Sequence, residues 1–110
     1  MTTNELQFDI LLWSEQTFPN SDLKAIAYRC MQGCDKLRAA LNNSMCFSLD
    51  GWEEEALEEF SDIFILMAAW AGKQGYPLED AILEKMEKNR ACKWGEADNL
   101  GVIQHVEEIV

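Results

Sequence analysis

Residues 50–62 read DGWEEEALEEFSD, and the fold turns on how that stretch is read. Seven of the thirteen positions are Asp or Glu, and none is Lys or Arg. At helical spacing Glu55, Glu59 and Asp62 share one face, because i, i+4 and i+7 lie above one another on a helix. Leu57, Phe60, Phe64 and Met67 repeat at three- and four-residue steps and predict a buried apolar stripe beside the acids. Carboxylates lined up this way repel one another unless a cation sits among them. Oxygen-only clusters suit hard ions such as Mg²⁺ and Mn²⁺. The stretch therefore reads as half of a metal site, or as a solvated acidic face.

Working outward, the chain has 110 residues, room for one domain spanning 1–110 with one core. An apolar content of 48% argues for a packed globular protein. The net charge of −11 argues against direct nucleic-acid binding through phosphates and allows basic protein partners and metal ions. No signal-peptide pattern is visible, and the longest greasy stretch, 63–71, is half a bilayer span. A cytoplasmic protein without a membrane role is expected. Cys30, Cys34, Cys46 and Cys92 then read as reduced thiols. Cys30 and Cys34 put two sulfurs on one helix face, as part of a zinc site or as small apolar residues.

Periodicity predicts four helices. The first covers 5–17, with Thr2 and Glu5 as a capping box and Leu6, Ile10, Leu11 and Trp13 facing inward. Phe18-Pro19-Asn20 breaks it, and Ser21 or Asp22 caps the second, which runs to Leu41. Asn42-Asn43-Ser44 is read as its end and 42–50 as a polar loop. Asp50 with Glu53 reads as a second capping box, opening a third helix that reaches Lys73. Gly75-Tyr76-Pro77 turns the chain into a fourth helix over 78–92. From Lys93 the pattern is irregular, with a short element expected at 102–106. Short connections between helices predict an all-α bundle with an irregular C-terminal tail. Met31, Met67 and Met86 read as core filling, the tryptophans as core or interface, and His105 as structural.

Two stretches carry a resemblance. EKMEKNRACKWG (84–95) is followed by DNLGVIQHV (98–106). Together with LLWSEQTFP (11–19) and EEFSDIFIL (58–66), they make the chain resemble the MazG-like all-α nucleoside triphosphate pyrophosphohydrolases. The branch it is most similar to is the small phage and prophage group of dATP/dGTP diphosphohydrolases. The specific part is KM-x-x-NR-x-x-KWG; E-x-x-D alone occurs on any acidic helix. The resemblance implies a helical bundle, forming a homodimer or a tetramer of dimers, that cleaves a triphosphate to monophosphate and pyrophosphate. It implies that two acidic motifs, EE-x-x-E and E-x-x-D, hold Mg²⁺ or Mn²⁺ to neutralise the triphosphate and ready a water. Carried over, E-x-x-D falls on Glu59 and Asp62, with Glu55 or Glu58 as possible additions. The basic and amide signature falls on Lys85, Asn89, Arg90 and Lys93, which would face phosphate oxygens or simply complement a helix C-terminus. Trp94, or Trp13 from the first helix, would stack on a base.

The chain departs from the family at the other motif. Counted between Phe18-Pro19 and Leu37, EE-x-x-E falls on Gln32, Gly33 and Lys36. Three carboxylates are absent there and one is a cation, so Mg²⁺, which dehydrates reluctantly, has little reason to stay. Lys36 is expected to reach Glu59 or Asp62 and replace the metal with an internal ion pair. Three function readings follow. The favoured one is an inactive phage-type homologue that binds a nucleotide or a basic host protein, in a counter-defence or inhibitor role. The second is an active pyrophosphohydrolase with replacement ligands from Asp35, Glu55, Glu58 or a second subunit. The third is a structural helical interaction module.

Overall fold

The computed structural model describes residues 1–47, 51–99 and 101–107. Four helices follow one another: α1 (Thr3–Thr17), α2 (Leu23–Phe47), α3 (Trp52–Lys73) and α4 (Leu78–Ala91). Two short strands, β1 (Lys93–Trp94) and β2 (His105–Glu107), follow them. The class is all-α, as the periodicity predicts. The chain divides into two compact units, Met1–Leu78 and Glu79–Val110.

In the first unit α3 is the central helix, packed against both α1 and α2. Polar side chains start the outer helices. The Thr2 hydroxyl accepts the Glu5 backbone N–H at 3.1 Å, and an Asp22 carboxylate oxygen accepts that of Ala25 at 2.8 Å. Each satisfies one of the donors that a helix N-terminus leaves open. α2 does not stop at Leu41 but continues through Asn42-Asn43-Ser44 to Phe47. Asn and Ser cost a few tenths of a kcal/mol each in a helix, roughly 0.5, and that segment contains neither Gly nor Pro to break it. α3 opens at Gly51 without a side-chain cap. The expected Asp50 cap lies outside the described residues. The C-terminus of α3 closes as a Schellman turn: Gly75 takes φ +77°, its N–H bonds to Gly72 O, and that of Tyr76 bonds to Ala71 O.

The core is made of small residues. Ala56, Ala68, Ala69 and Ala71 of α3 are buried, as are Ile26 and Ala40 of α2. Gly33 of α2 lets α3 approach so closely that a Cβ there would sit 3.2 Å from Ile63 Cγ1. The buried residue of α1 is Gln7, not the apolar residues around it. Its amide N–H groups donate to Ala68 O (3.2 Å) and Tyr76 O (2.9 Å), and its carbonyl accepts the Leu78 N–H at 2.8 Å. The Trp70 indole N–H donates to Leu23 O at 3.0 Å and ties α3 to the start of α2.

Several expected core positions are on the surface. Leu57 is 66% and Phe60 54% exposed, and Leu6, Trp13, Met31, Met67 and Met86 are exposed as well. The apolar stripe of α3 is therefore real in sequence but, half-buried Phe64 apart, uncovered among the described residues. With Ile10 of α1 it forms one open apolar depression lined by Leu6, Phe60, Ile63, Phe64 and Met67.

The second unit runs from α4 into a small antiparallel ladder that pairs Lys93 with Glu107 and Trp94 with His105. The Asp98 carboxylate accepts the Val102 N–H at 2.9 Å, and Asp98 N bonds back to Val102 O, closing the hairpin between the strands. The expected short element at 102–106 is thus the second strand, shifted to 105–107.

Candidate functional site

A cavity of about 190 Å³ opens among α1, α2 and α3, wholly within the first unit. From α2, Arg29, Gln32, Gly33 and Lys36 line it. Their spacing of three, four and seven residues is one helix face, which explains why they arrive together. From α3, Glu59 and Asp62 line the opposite wall above Ile65, Leu66 and Ala69. Trp13 and Ser14 of α1, with Phe18 just after it, complete the rim. Trp13 and Phe18 meet edge to face, with ring centres 5.7 Å apart. The Arg29 guanidinium lies over the Phe18 ring at 4.3 Å, the geometry of a cation–π contact.

The positions that motif counting places opposite one another, 32, 33 and 36 against 59 and 62, thus share one cavity. The expected ion pair from Lys36 to Glu59 or Asp62 does not form. Among the described residues the ion pair is Arg38 with Asp35, at 3.4 Å on the surface. Lys36 is exposed, and a hydrated ammonium gains little from such a pair while losing side-chain freedom. Glu58 joins Glu59 and Asp62 in a separate groove along α3, while Glu55 lines neither that groove nor the cavity. Arg29, Ser14 and Phe18 were missed from the sequence. Arg29 was legible in principle, at one helical heptad before Lys36.

Among the described residues no three Asp, Glu, His or Cys side chains converge as metal ligands. Two carboxylates sharing a cavity with an ammonium do not fit Mg²⁺ or Mn²⁺, which need several oxygen donors and a negative surround. Cys30 is half-buried and Cys34 exposed, and they form no zinc cluster with other described residues.

The signature residues lie in the second unit. Lys85, Asn89 and Arg90 are on α4, and Lys93 and Trp94 form β1. The Trp94 indole N–H donates to Asn89 O at 3.0 Å, so the two signature residues are bonded to each other. The His105 side chain lies outside the described residues. No helix among the described residues is long and apolar enough to cross a membrane.

No protein-family profile matches the chain. No curated protein matches it significantly. Solved structures do. One is the cyanophage S-2L MazG-like pyrophosphohydrolase bound to dGDP and three catalytic Mn²⁺ ions per active site. It is 26% identical, superposes with a TM-score of 0.59, and the match covers 96% of this chain and 93% of that one. The chain belongs to the MazG-like superfamily. The match runs along nearly the whole chain, so membership of this MazG-like protein rests on its overall path and not on one motif.

Proposed function

We propose that this MazG-like protein is a phage- or prophage-type homologue that has lost hydrolysis and acts by binding a nucleotide. The observation that carries the reading is the composition of the cavity. Its α3 wall keeps Glu59 and Asp62, while its α2 wall presents Gln32, Gly33 and Lys36 where the family resemblance expects carboxylates. Without those acids, divalent ions that would neutralise a triphosphate and activate a water lack their ligands. What is left is a small concave site with cations, an amide, a hydroxyl and two aromatic rings, suited to holding an aromatic phosphate ester. The nucleotide bound by the cyanophage relative supports the ligand class. Independently of that cavity, Lys85, Asn89, Arg90, Lys93 and Trp94 are proposed as phosphate and base contacts on the strength of the signature alone.

The protein is proposed to work as a homodimer in the cytoplasm. Support comes from the uncovered apolar depression of Leu6, Ile10, Phe60, Ile63, Phe64 and Met67, a contiguous patch of a kind that soluble monomers seldom leave open. The acidic first turn of α3, with Glu53, Glu54 and Glu55 all exposed, favours a second reading in which a basic host protein docks there.

The test is turnover of a panel of ribo- and deoxynucleoside triphosphates at micromolar protein, with Mg²⁺ and with Mn²⁺, read by chromatography. No monophosphate or pyrophosphate is expected, together with a nucleotide-dependent rise in melting temperature. Chelator-sensitive turnover would overturn the inactive reading. Neither turnover nor a thermal shift would leave the host-protein reading.

A further inference from the structure

We infer that the α2 wall of this cavity carries its own replacement for a metal ion, so that the ligand is a nucleoside phosphate taken up without any divalent cation. The inference rests on the nucleotide reading above and adds which residues neutralise the phosphate and what the site does not need. Lys36 and Arg29 stand seven residues apart on the same face of α2, with Gln32 and Gly33 between them, and both line the cavity. Neither is neutralised by a carboxylate among the described residues. Among the described residues Arg29 engages only the face of Phe18, a contact that positions a guanidinium without cancelling its charge. Among the described residues neither cation lies within 4.0 Å of a carboxylate oxygen, so both are available to an anionic group of a ligand.

The opposite wall narrows the choice. Glu59 and Asp62 repel a phosphate, so it belongs on the α2 side, against Lys36, Arg29 and the Gln32 amide. The carboxylates then face the part of the ligand that donates hydrogen bonds, such as sugar hydroxyls or a base amino group. Trp13, at the rim beside Phe18, offers the flat surface for the base. At about 190 Å³ the cavity is smaller than ordinary small-molecule sites, which start near roughly 300 Å³, so it encloses one end of a nucleotide and leaves the rest outside. A built-in ammonium also explains why the carboxylate side need not collect a metal: the charge that a phosphate requires is already covalently present.

The experiment is calorimetric titration of the full chain with dGDP, once in EDTA and once in excess Mg²⁺, for the wild type, Lys36→Gln and Lys36→Arg. The expected result is a Kd that agrees within about twofold between EDTA and Mg²⁺, weakens roughly tenfold in Lys36→Gln and is largely kept in Lys36→Arg. Added salt should weaken it in both conditions. Binding that needs Mg²⁺, or that ignores Lys36→Gln, would overturn the inference while leaving nucleotide binding in place. No binding of dGDP in either condition, by protein whose circular dichroism shows it folded, would remove the nucleotide reading and this inference with it.

Discussion

The side-chain carbonyl of Gln7, in the first helix, accepts the backbone N–H of Leu78, the first residue of the fourth. The same amide donates to Tyr76 O and Ala68 O, so one buried side chain ties the end of α3 and the turn up to Leu78 to α1, all within the first unit. A polar group this deep is tolerated only because both ends of its amide are satisfied.

Replacing Gln7 with Leu keeps the volume and strips these partners of their bonds. A loss of about 1–3 kcal/mol is expected, read from urea unfolding. Gln7→Glu should be worse at neutral pH, since a carboxylate would face two carbonyl oxygens. The folded state would raise the pKa of that buried acid. Stability of Gln7→Glu should therefore rise as pH falls and the group protonates, a trend the Leu variant would not show.

Gly33 and Ile63 set the distance between α2 and α3. Gly→Ala in a helix usually contributes about 1 kcal/mol of stability, but a Cβ at 33 would meet Ile63 Cγ1 at 3.2 Å. Gly33→Ala should therefore gain much less than that, while the same change in an Ile63→Ala background should gain more. A coupling energy of about 1 kcal/mol in a double-mutant cycle is the expected outcome; additivity would mean the contact is soft.

Placing acids on the α2 wall should create affinity for metal. Gln32→Glu with Lys36→Glu is the cleaner variant, because Gly33→Glu must also displace Ile63. Mn²⁺ titration should change from a flat trace in the wild type to measurable binding in the double and triple variants. A flat trace in all of them would count against aligning the EE-x-x-E motif with 32, 33 and 36.

The two candidate base platforms can be separated. Trp13→Ala should weaken nucleotide binding roughly tenfold if Trp13 stacks on the base, and nucleotide should quench its fluorescence. Trp94→Ala tests the platform suggested by the sequence signature and should have the smaller effect, since the Trp94 indole is tied to Asn89 O.

The thiols of α2 should differ in reactivity. Burial first, and then the adjacent Cys34, push the Cys30 thiol above its usual range. Less thiolate is present at neutral pH, so alkylation of Cys30 should lag behind that of exposed Cys34 and keep accelerating as pH rises through the shifted value. Cys34→Ser removes the second cause and should speed Cys30 modestly, as followed by mass spectrometry of iodoacetamide adducts.

Much of the architecture was legible because local rules decide it. Helical periodicity, the Thr2 and Asp22 caps and the Gly75 turn each act within a few residues, where propensity and hydrogen bonding suffice. The polar run at 42–44 misled because Asn and Ser weaken a helix without ending one. Motif spacing also carried most of the cavity, since residues at heptad steps on α2 and α3 must share faces. The sequence by itself thus determined the helical class, a resemblance to the MazG-like proteins, and Gln32, Gly33 and Lys36 at the positions where that resemblance expects carboxylates. Tertiary structure alone decided that Gln7 is buried and Leu57 is not, that Arg29 joins Lys36 at the cavity, and that Lys36 forms no ion pair with Glu59 or Asp62. The reason is physical. Periodicity tells which side chains point the same way, but burial and pairing depend on what lies across from them, and that is set by contacts between residues far apart in the chain.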